Sequence, residues 1–135
     1  MAIFSIPVDI QQHITANLPA LAPVFIGNVQ LGDQNQVAIY EFPGAENIRV
    51  HGGPTATFTI TALQNCMIQI QVRNKNAQTA FNNANSVVDL LDGKVGLTIN
   101  GHYYTDMHMT ARPRIISTPE DGAIIYAIDF AFQAR

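Results

Sequence analysis

Residues 67–93 read MIQIQVRNKNAQTAFNNANSVVDLLDG, and two patterns in this stretch decide the fold. Apolar and polar side chains alternate from Met67 to Arg73, a period of two that predicts a half-buried β-strand. Between residues 77 and 91, apolar side chains recur at spacings of three and four, which predicts an amphipathic helix. Its predicted buried face consists of Ala77, Ala80, Phe81, Ala84, Val88 and Leu91. Asn74 or Asn76 can cap this helix, and Gly93 can end it.

The residues before this stretch predict a helix and further strands. Ser5 can cap an N-terminal helix that continues to Leu18. Residues 37–42 are typical of a strand, and the glycines and prolines of residues 43–54 predict an exposed loop. Residues 55–61 alternate as regularly as 67–73, so we expect these two runs to form a hairpin with its turn at residues 62–66.

The residues after this stretch predict strands alone. Residues 95–109 indicate a hairpin that turns at Asn100-Gly101, a strong turn signal. Residues 114–118 predict a short strand, and residues 123–133 alternate over eleven positions. The sequence therefore predicts an α+β fold, in which two helices pack on one face of a mainly antiparallel β-sheet. With no linker or repeat, we expect residues 1–135 to form a single domain.

The composition excludes several classes of protein. Of the 135 residues, 47% are hydrophobic, which is too many for a disordered chain, but no apolar run is long enough for a membrane span. The net charge is −3 with seven Lys and Arg, so binding of nucleic acid through its phosphates is not expected. Eleven Asn and ten Gln outnumber the charged residues. An amide-rich, weakly charged surface favours a subunit of an assembly over a free enzyme.

Few residues could carry catalysis or bind a metal. His102, Asp106 and His108 share one face of a regular strand. Asp106 and His108 could both reach one ion, whereas His102 lies twice as far from Asp106, so a third ligand would have to come from elsewhere, such as His51 or Asp129. The alternative interpretation is a polar sheet face with scattered histidines, and we favour it. Single Cys66 lies in the predicted turn without a neighbouring base and indicates a structural thiol. We therefore expect no catalytic residue, no cofactor and no bound metal.

The order of the elements resembles a known family. It begins with a helix ending at Leu18-Pro19 and a short strand at residues 24–27, and it continues with a strand at residues 37–41 and a Pro-Gly loop. The strand of alternating Ile, Gln and Val that ends in Arg73 follows, then the Ala-rich helix with Leu-Leu-Asp-Gly at its end, and last the strand that closes with residues 128–132. This order is similar to that of the tail-terminator group, the small minor-capsid or tail-completion proteins of long-tailed bacteriophages.

The resemblance implies a structural role in the virion. Such a protein forms a ring, expected to be a homo-hexamer, at the head-proximal end of the tail tube. The ring stops tube growth and joins the tail to the head-tail connector protein, while DNA passes through the lumen without specific binding. We expect such a subunit to be made in the host bacterial cytoplasm and to have no contact with a membrane. Other interpretations are another neck or tail-tube protein of similar fold, a peptide-binding adaptor domain, and a small metal-dependent hydrolase.

The resemblance carries over no catalytic residues, so only contact surfaces can be predicted. Candidates for contact with a neighbouring subunit or the tube lie on the polar strand face and in the predicted loop: Arg49, His51, Gln69, Gln71 and Arg73. Three acidic residues are candidates to face the lumen: Asp89, Asp92 and Asp129. 

Overall fold

The structure is a computed structural model, and it describes most of the chain. The described residues are 4–21, 23–27, 35–42, 48–50, 61–117 and 122–135. Within them, the chain forms two α-helices, a 3₁₀ turn at Pro19–Leu21 and seven β-strands. No helix in these ranges is long and apolar enough to cross a bilayer.

Both helices begin at the caps that the sequence predicts. Helix α1 comprises Ile6–Asn17, and the Ser5 side chain accepts a hydrogen bond from the backbone N–H of Val8 at 3.4 Å. Helix α2 comprises Ala77–Leu91, and the Asn76 side chain accepts from the backbone N–H of Thr79 at 3.0 Å. In each case a short polar side chain satisfies a backbone donor that has no partner within its helix.

The strands form a mainly antiparallel sheet in the order β1-β2-β4-β7-β6-β5. The strands are β1 (Val24–Ile26), β2 (Gln36–Phe42), β3 (Ile48–Val50), β4 (Thr61–Asn74), β5 (Leu97–Ile99), β6 (His102–Ser117) and β7 (Ile124–Ala134). Strand β3 pairs with the first residues of β4, and among the described strands only β1 and β2 pair in parallel. The predicted α+β fold class is confirmed.

The two helices cover one face of this sheet and enclose the core. Ile6, Ile10 and Ile14 of α1 are fully buried, as are Ile68 and Ile70 of β4 and Ile128 and Phe130 of β7, which point the same way. We call the opposite side of the sheet the open face, because no described helix packs on it. On its three central strands this face includes Asn65, Met67, Gln69, Gln71 and Arg73 of β4, Ile125, Ala127, Asp129, Ala131 and Gln133 of β7, and Asp106, His108, Ala111 and Arg114 of β6.

The turn predicted at residues 62–66 is wrong. Strand β4 continues without a break from Thr61 to Asn74, and β7 pairs with it from Gln64 onward. The polar residues at 64 and 65 suggested a turn, but β3 pairs with residues 61–63 and the eleven-residue β7 pairs from Gln64 onward, so the segment has partner strands throughout. Of the partner strand predicted at 55–61, only Thr61 is described, and it is the first residue of β4.

Two further predictions about strands need correction or remain partly untested. The separate strand predicted at 114–118 is part of β6, which continues to Ser117 because bulges absorb the irregular residues before Arg114. Within the loop predicted at 43–54, Ile48–Val50 form β3, and the other residues lie outside the described ranges. The hairpin turn at Asn100-Gly101 is confirmed, and both residues have the positive φ that such a turn requires.

The buried face of α2 is rotated from the predicted one. Ala80, Ala84, Val87 and Leu91 are buried, whereas Ala77 is exposed and Phe81 is 40% exposed. The Phe81 ring instead lies 5.7 Å from the ring of Tyr126, centroid to centroid. Because α2 lies close to the sheet, small side chains such as Ala80 and Ala84 fit between the two, whereas the larger Phe81 lies at the edge of the contact.

Candidate interaction surface

A chain of side-chain hydrogen bonds crosses the open face. The amide of Gln71 donates to the amide oxygen of Gln69 at 2.8 Å, and the amide of Gln69 donates to one carboxylate oxygen of Asp129 at 3.1 Å. Arg114 donates to the other oxygen of Asp129, also at 3.1 Å. The chain links β4, β7 and β6, so these polar side chains are held in fixed positions on the surface.

The structure brings together three of the five predicted contact residues. Gln69, Gln71 and Arg73 project from alternate positions of β4 onto the open face, as the sequence predicts. Arg49 lies in β3, whose side chains fall outside the description, and His51 lies outside the described residues. That any of these five residues contacts a subunit or the tube stays a prediction.

We expect Gln69→Glu to destabilise the protein by about 1–2 kcal/mol at neutral pH. The substitution replaces a donor with a carboxylate that faces the half-buried carboxylate of Asp129, so a hydrogen bond becomes a repulsion. Thermal or denaturant unfolding measures the loss. The matched control is Gln78→Glu, the same change on the exposed side of the first turn of α2, where a negative charge is neutral or slightly favourable. Equal stabilities of the two variants would contradict the prediction.

The three acidic residues predicted to face the lumen lie on two different layers. Asp129 is on the open face within the hydrogen-bonded chain, whereas Asp89 and Asp92 lie at the exposed C-terminal end of α2 on the other side of the sheet. Asp92 also accepts a hydrogen bond from the backbone N–H of Met109 at 2.8 Å, which fastens the helix end to β6. The three carboxylates therefore lie on two layers of the subunit, and which of them faces the lumen stays a prediction.

The prediction that His102, Asp106 and His108 share one face is wrong, because β6 contains a bulge. Tyr104 pairs with Ala134 and Asp106 pairs with Gln133, so Thr105 is an extra residue in β6. An extra residue shifts the alternation by one position, so His102 points to the helix side and Asp106 and His108 point to the open face. The Thr105 hydroxyl donates to the backbone and side-chain oxygens of Gln133, which satisfies the irregular backbone. Within the described residues, no three His, Cys, Asp or Glu side chains could hold a metal ion.

Asp106 and His108 line a recess in the open face. Their side chains contact each other at 2.7 Å between Oδ2 and Nδ1, and each is about half exposed. Ala131 of β7 lies opposite His108 on one side and Met67 of β4 on the other, so a small residue stands between two longer ones. The result is a depression of about 320 Å³, which we call the Ala131 recess; Asn65 and Gln133 also line it. Its lining is mostly apolar and Asp106 places a carboxylate at its rim, so it suits an apolar side chain accompanied by a cation.

A buried polar cluster on the helix side was missed by the sequence analysis. Asp9 of α1 is 3% exposed and accepts from the Tyr104 hydroxyl at 2.7 Å and from the Asn100 amide at 3.1 Å. The Nδ1 atom of His102 lies 2.6 Å from Oδ2 of Asp9, the same oxygen that accepts from Tyr104, and the ring of Phe4 stacks on His102 at 3.7 Å. Burial and the Asp9 carboxylate both raise the pKa of Tyr104, so this hydroxyl stays protonated and donates. The signal was present in the sequence, since Asp9 lies on the apolar stripe of α1, three residues after Ile6.

Cys66 lies in the core and not in a turn. It is 3% exposed, and its thiol donates to a carboxylate oxygen of Glu41 at 3.5 Å. Burial, and then the negative charge of Glu41, raises the pKa of this thiol to about 12. A thiol in this environment stays protonated and is a poor nucleophile, which fits a structural residue.

The described side chains thus provide surfaces that are suited to binding. The open face carries the chain of side-chain hydrogen bonds and the Ala131 recess. The buried Asp9 cluster joins α1 to the β5–β6 turn. The thiol of Cys66 and the hydroxyl of Tyr104 each donate to a carboxylate, but both groups are buried and their pKa values are raised, so both stay protonated. An interaction surface is therefore the candidate functional site.

Comparison with known families and structures gives a consistent result. A family model described as "Bacteriophage tail terminator protein" matches residues 25–135. A chain from the virion of a native gene transfer agent (GTA) particle has a similar fold, with a TM-score of 0.59 at 15% identity over 96% of this chain and 94% of that chain. A second solved structure has a TM-score of 0.51 at 15% identity, over 93% and 86% of the two chains. The comparison with curated proteins finds no match.

Proposed function

The chain belongs to the bacteriophage tail terminator family, and from this membership we propose that it forms a closed ring at the head-proximal end of the tail tube. The match over residues 25–135 covers all seven described strands except the first residue of β1, and it covers the whole of α2; this single observation carries the proposal. The protein is a structural component of the virion tail and neck. In our proposal the ring is a homo-hexamer that stops growth of the tube and joins it to the head-tail connector.

The physical properties of the chain support a subunit of this kind. A closed ring uses two different surfaces of each subunit, head to tail. The open face offers one extended surface, and its hydrogen-bonded chain from Gln71 to Arg114 holds the polar groups ready for contact without ordering costs. We propose that Gln69, Gln71 and Arg73 contact the tube or the adjacent ring. Arg49 and His51, which precede β4 in the sequence, take part in the same contact in this proposal.

The lumen of the ring needs a surface that does not hold DNA. Because the acidic residues lie on two layers, we propose that the end of α2, with Asp89 and Asp92, faces the lumen. Carboxylates there repel phosphates, so DNA slides through without binding. In this arrangement Asp129 belongs to the hydrogen-bonded chain on the open face and does not face the lumen. We further propose that the protein performs no catalysis and acts by assembly alone.

The mass of the purified protein in solution tests this function. Light scattering over a range of concentrations, with and without purified tail tubes, is expected to detect a closed oligomer near six subunits or a monomer that forms a ring on tubes. Tubes that carry the ring are expected to stop growing when tube protein is added. Filaments of indefinite length would identify a tube protein instead, and a monomer that ignores tubes at every concentration would overturn the proposal.

A further inference from the structure

We propose that the Ala131 recess of one subunit receives the distal end of β6 from the neighbouring subunit, with Arg112 of the neighbour paired to Asp106. The inference rests on the proposed ring and specifies the contact that closes it. The occupant is a second copy of this chain.

The distal part of β6 has the properties of a segment that binds another protein. Strand β5 pairs only with His102–Tyr104, so in the described part of the chain the outer edge of β6 has no partner strand beyond the bridge at Met107. Ile115 and Ile116 are 53% and 43% exposed, which is unusual for two adjacent isoleucines of a strand. Exposed apolar side chains next to charged ones are typical of the anchors of protein interfaces.

This edge is unsuited to pairing with another strand. Register shifts at 109/111, 111/114 and 115/117 interrupt its regular spacing, and Pro113 removes a backbone donor. Bulges, proline and charged residues are the features that prevent strand addition at a sheet edge. A neighbour must therefore contact the distal end of β6 through side chains, and this requires a cavity on the other subunit.

The charge of Arg112 is complementary to that of the Ala131 recess. Arg112 is exposed and forms no ion pair among the described residues, whereas the neighbouring Arg114 is paired with Asp129. The rim of the Ala131 recess carries the half-exposed Asp106, and its mostly apolar lining includes Met67 and Ala131. An unpaired arginine followed three and four residues later by two exposed isoleucines therefore matches this recess in both charge and polarity.

The two surfaces cannot meet within one subunit. Arg112 follows Asp106 by six residues on the same bulged strand, and the two lie about five residues of β7 apart, a separation of roughly 15 Å at about 3.3 Å per residue, beyond the reach of an arginine side chain. A ligand at one end of β6 and its receptor at the other end form a heterologous pair, the kind of contact that closes a ring. Each subunit then both donates a strand end and accepts one.

Charge reversal on each side, and then on both, tests the contact. We expect Asp106→Arg and Arg112→Asp each to weaken ring formation at least tenfold in the concentration at half assembly, measured by light scattering alone and on tail tubes. The double variant restores the opposite charges in exchanged positions and is expected to recover most of the loss. Asn82→Arg, which places the same positive side chain on the exposed side of α2, is the matched control and is expected to assemble as the wild type does. Thermal unfolding verifies that every variant is folded.

The outcomes separate this contact from the ring itself. Single variants that assemble normally while the wild type forms rings would overturn this contact and leave the proposed function intact. A double variant that assembles no better than the worse single variant would also overturn it. Single variants that form rings of normal mass but fail to bind tubes would overturn it as well, since the recess would then bind the tube protein. A wild type that forms no ring under any condition would overturn both.

Discussion

Asp9→Ala is expected to lower the free energy of unfolding by about 3 kcal/mol and the melting temperature by roughly 10 °C. The substitution removes an acceptor that is 3% exposed and leaves the buried hydroxyl of Tyr104 without its partner. It also removes the anion beside His102 and the amide contact of Asn100, so α1 loses its polar attachment to the β5–β6 turn. Denaturant unfolding followed by circular dichroism measures the change.

A second Asp–His pair in the same protein supplies the control for this prediction. Asp106 and His108 have nearly the same geometry, 2.7 Å between carboxylate oxygen and Nδ1, but both side chains are about half exposed. Asp106→Ala is therefore expected to cost less than about 1 kcal/mol, as exposed ion pairs do. Similar losses for Asp9→Ala and Asp106→Ala would show that burial does not determine the cost.

A double substitution identifies which contact of Asp9 matters most. Tyr104→Phe removes the hydroxyl that Asp9→Ala leaves unsatisfied. If the stranded hydroxyl carries much of the cost, then Asp9→Ala combined with Tyr104→Phe is less destabilising than the sum of the two single losses. Strict additivity would assign the cost to His102 and Asn100 instead.

The elements that the sequence predicts correctly depend on neighbouring residues alone. The caps at Ser5 and Asn76, the turn at Asn100-Gly101 and the alternation of β7 are all encoded within a few positions, and each is confirmed. The same local evidence led to the wrong turn at residues 62–66. Whether a polar segment turns or continues depends on the length of the partner strand, here β7, which is sixty residues away in sequence.

The features of the candidate site depend on contacts between distant residues, which periodicity does not report. The extra residue at Thr105 decides that Asp106 faces the open side and His102 the helices. The Ala131 recess exists because β4, β7 and β6 align Met67, Ala131 and His108 in one row. Each of the three strands carries an ordinary pattern, and only their register makes a cavity. The polar face of β4 was predictable, since Gln69 and Gln71 alternate with buried residues, but its partners Asp129 and Arg114 were not.

Cys66 is expected to react with a disulfide reagent at least about a thousand times more slowly in the folded protein than in the unfolded chain at pH 8. The thiolate is the reacting species, and a pKa of about 12 instead of 9 reduces its fraction by three powers of ten. Burial at 3% exposure slows access further. Absorbance of the released thiol, with and without guanidinium, measures the ratio.

The pH dependence of this reaction tests its physical cause. In the unfolded chain the rate levels off above about pH 9, whereas in the folded protein it continues to rise towards pH 12, as long as the fold persists. Because the folded pKa is the higher one, the stabilising effect of the neutral thiol is complete below pH 9 and is lost as the pH rises from 9 to 12. Glu41→Gln removes the smaller of the two causes, so it is expected to accelerate labelling only modestly. A rate in native buffer within tenfold of the unfolded rate would mean that the core at Cys66 opens readily, and β4 could not then serve as the rigid support of the open face.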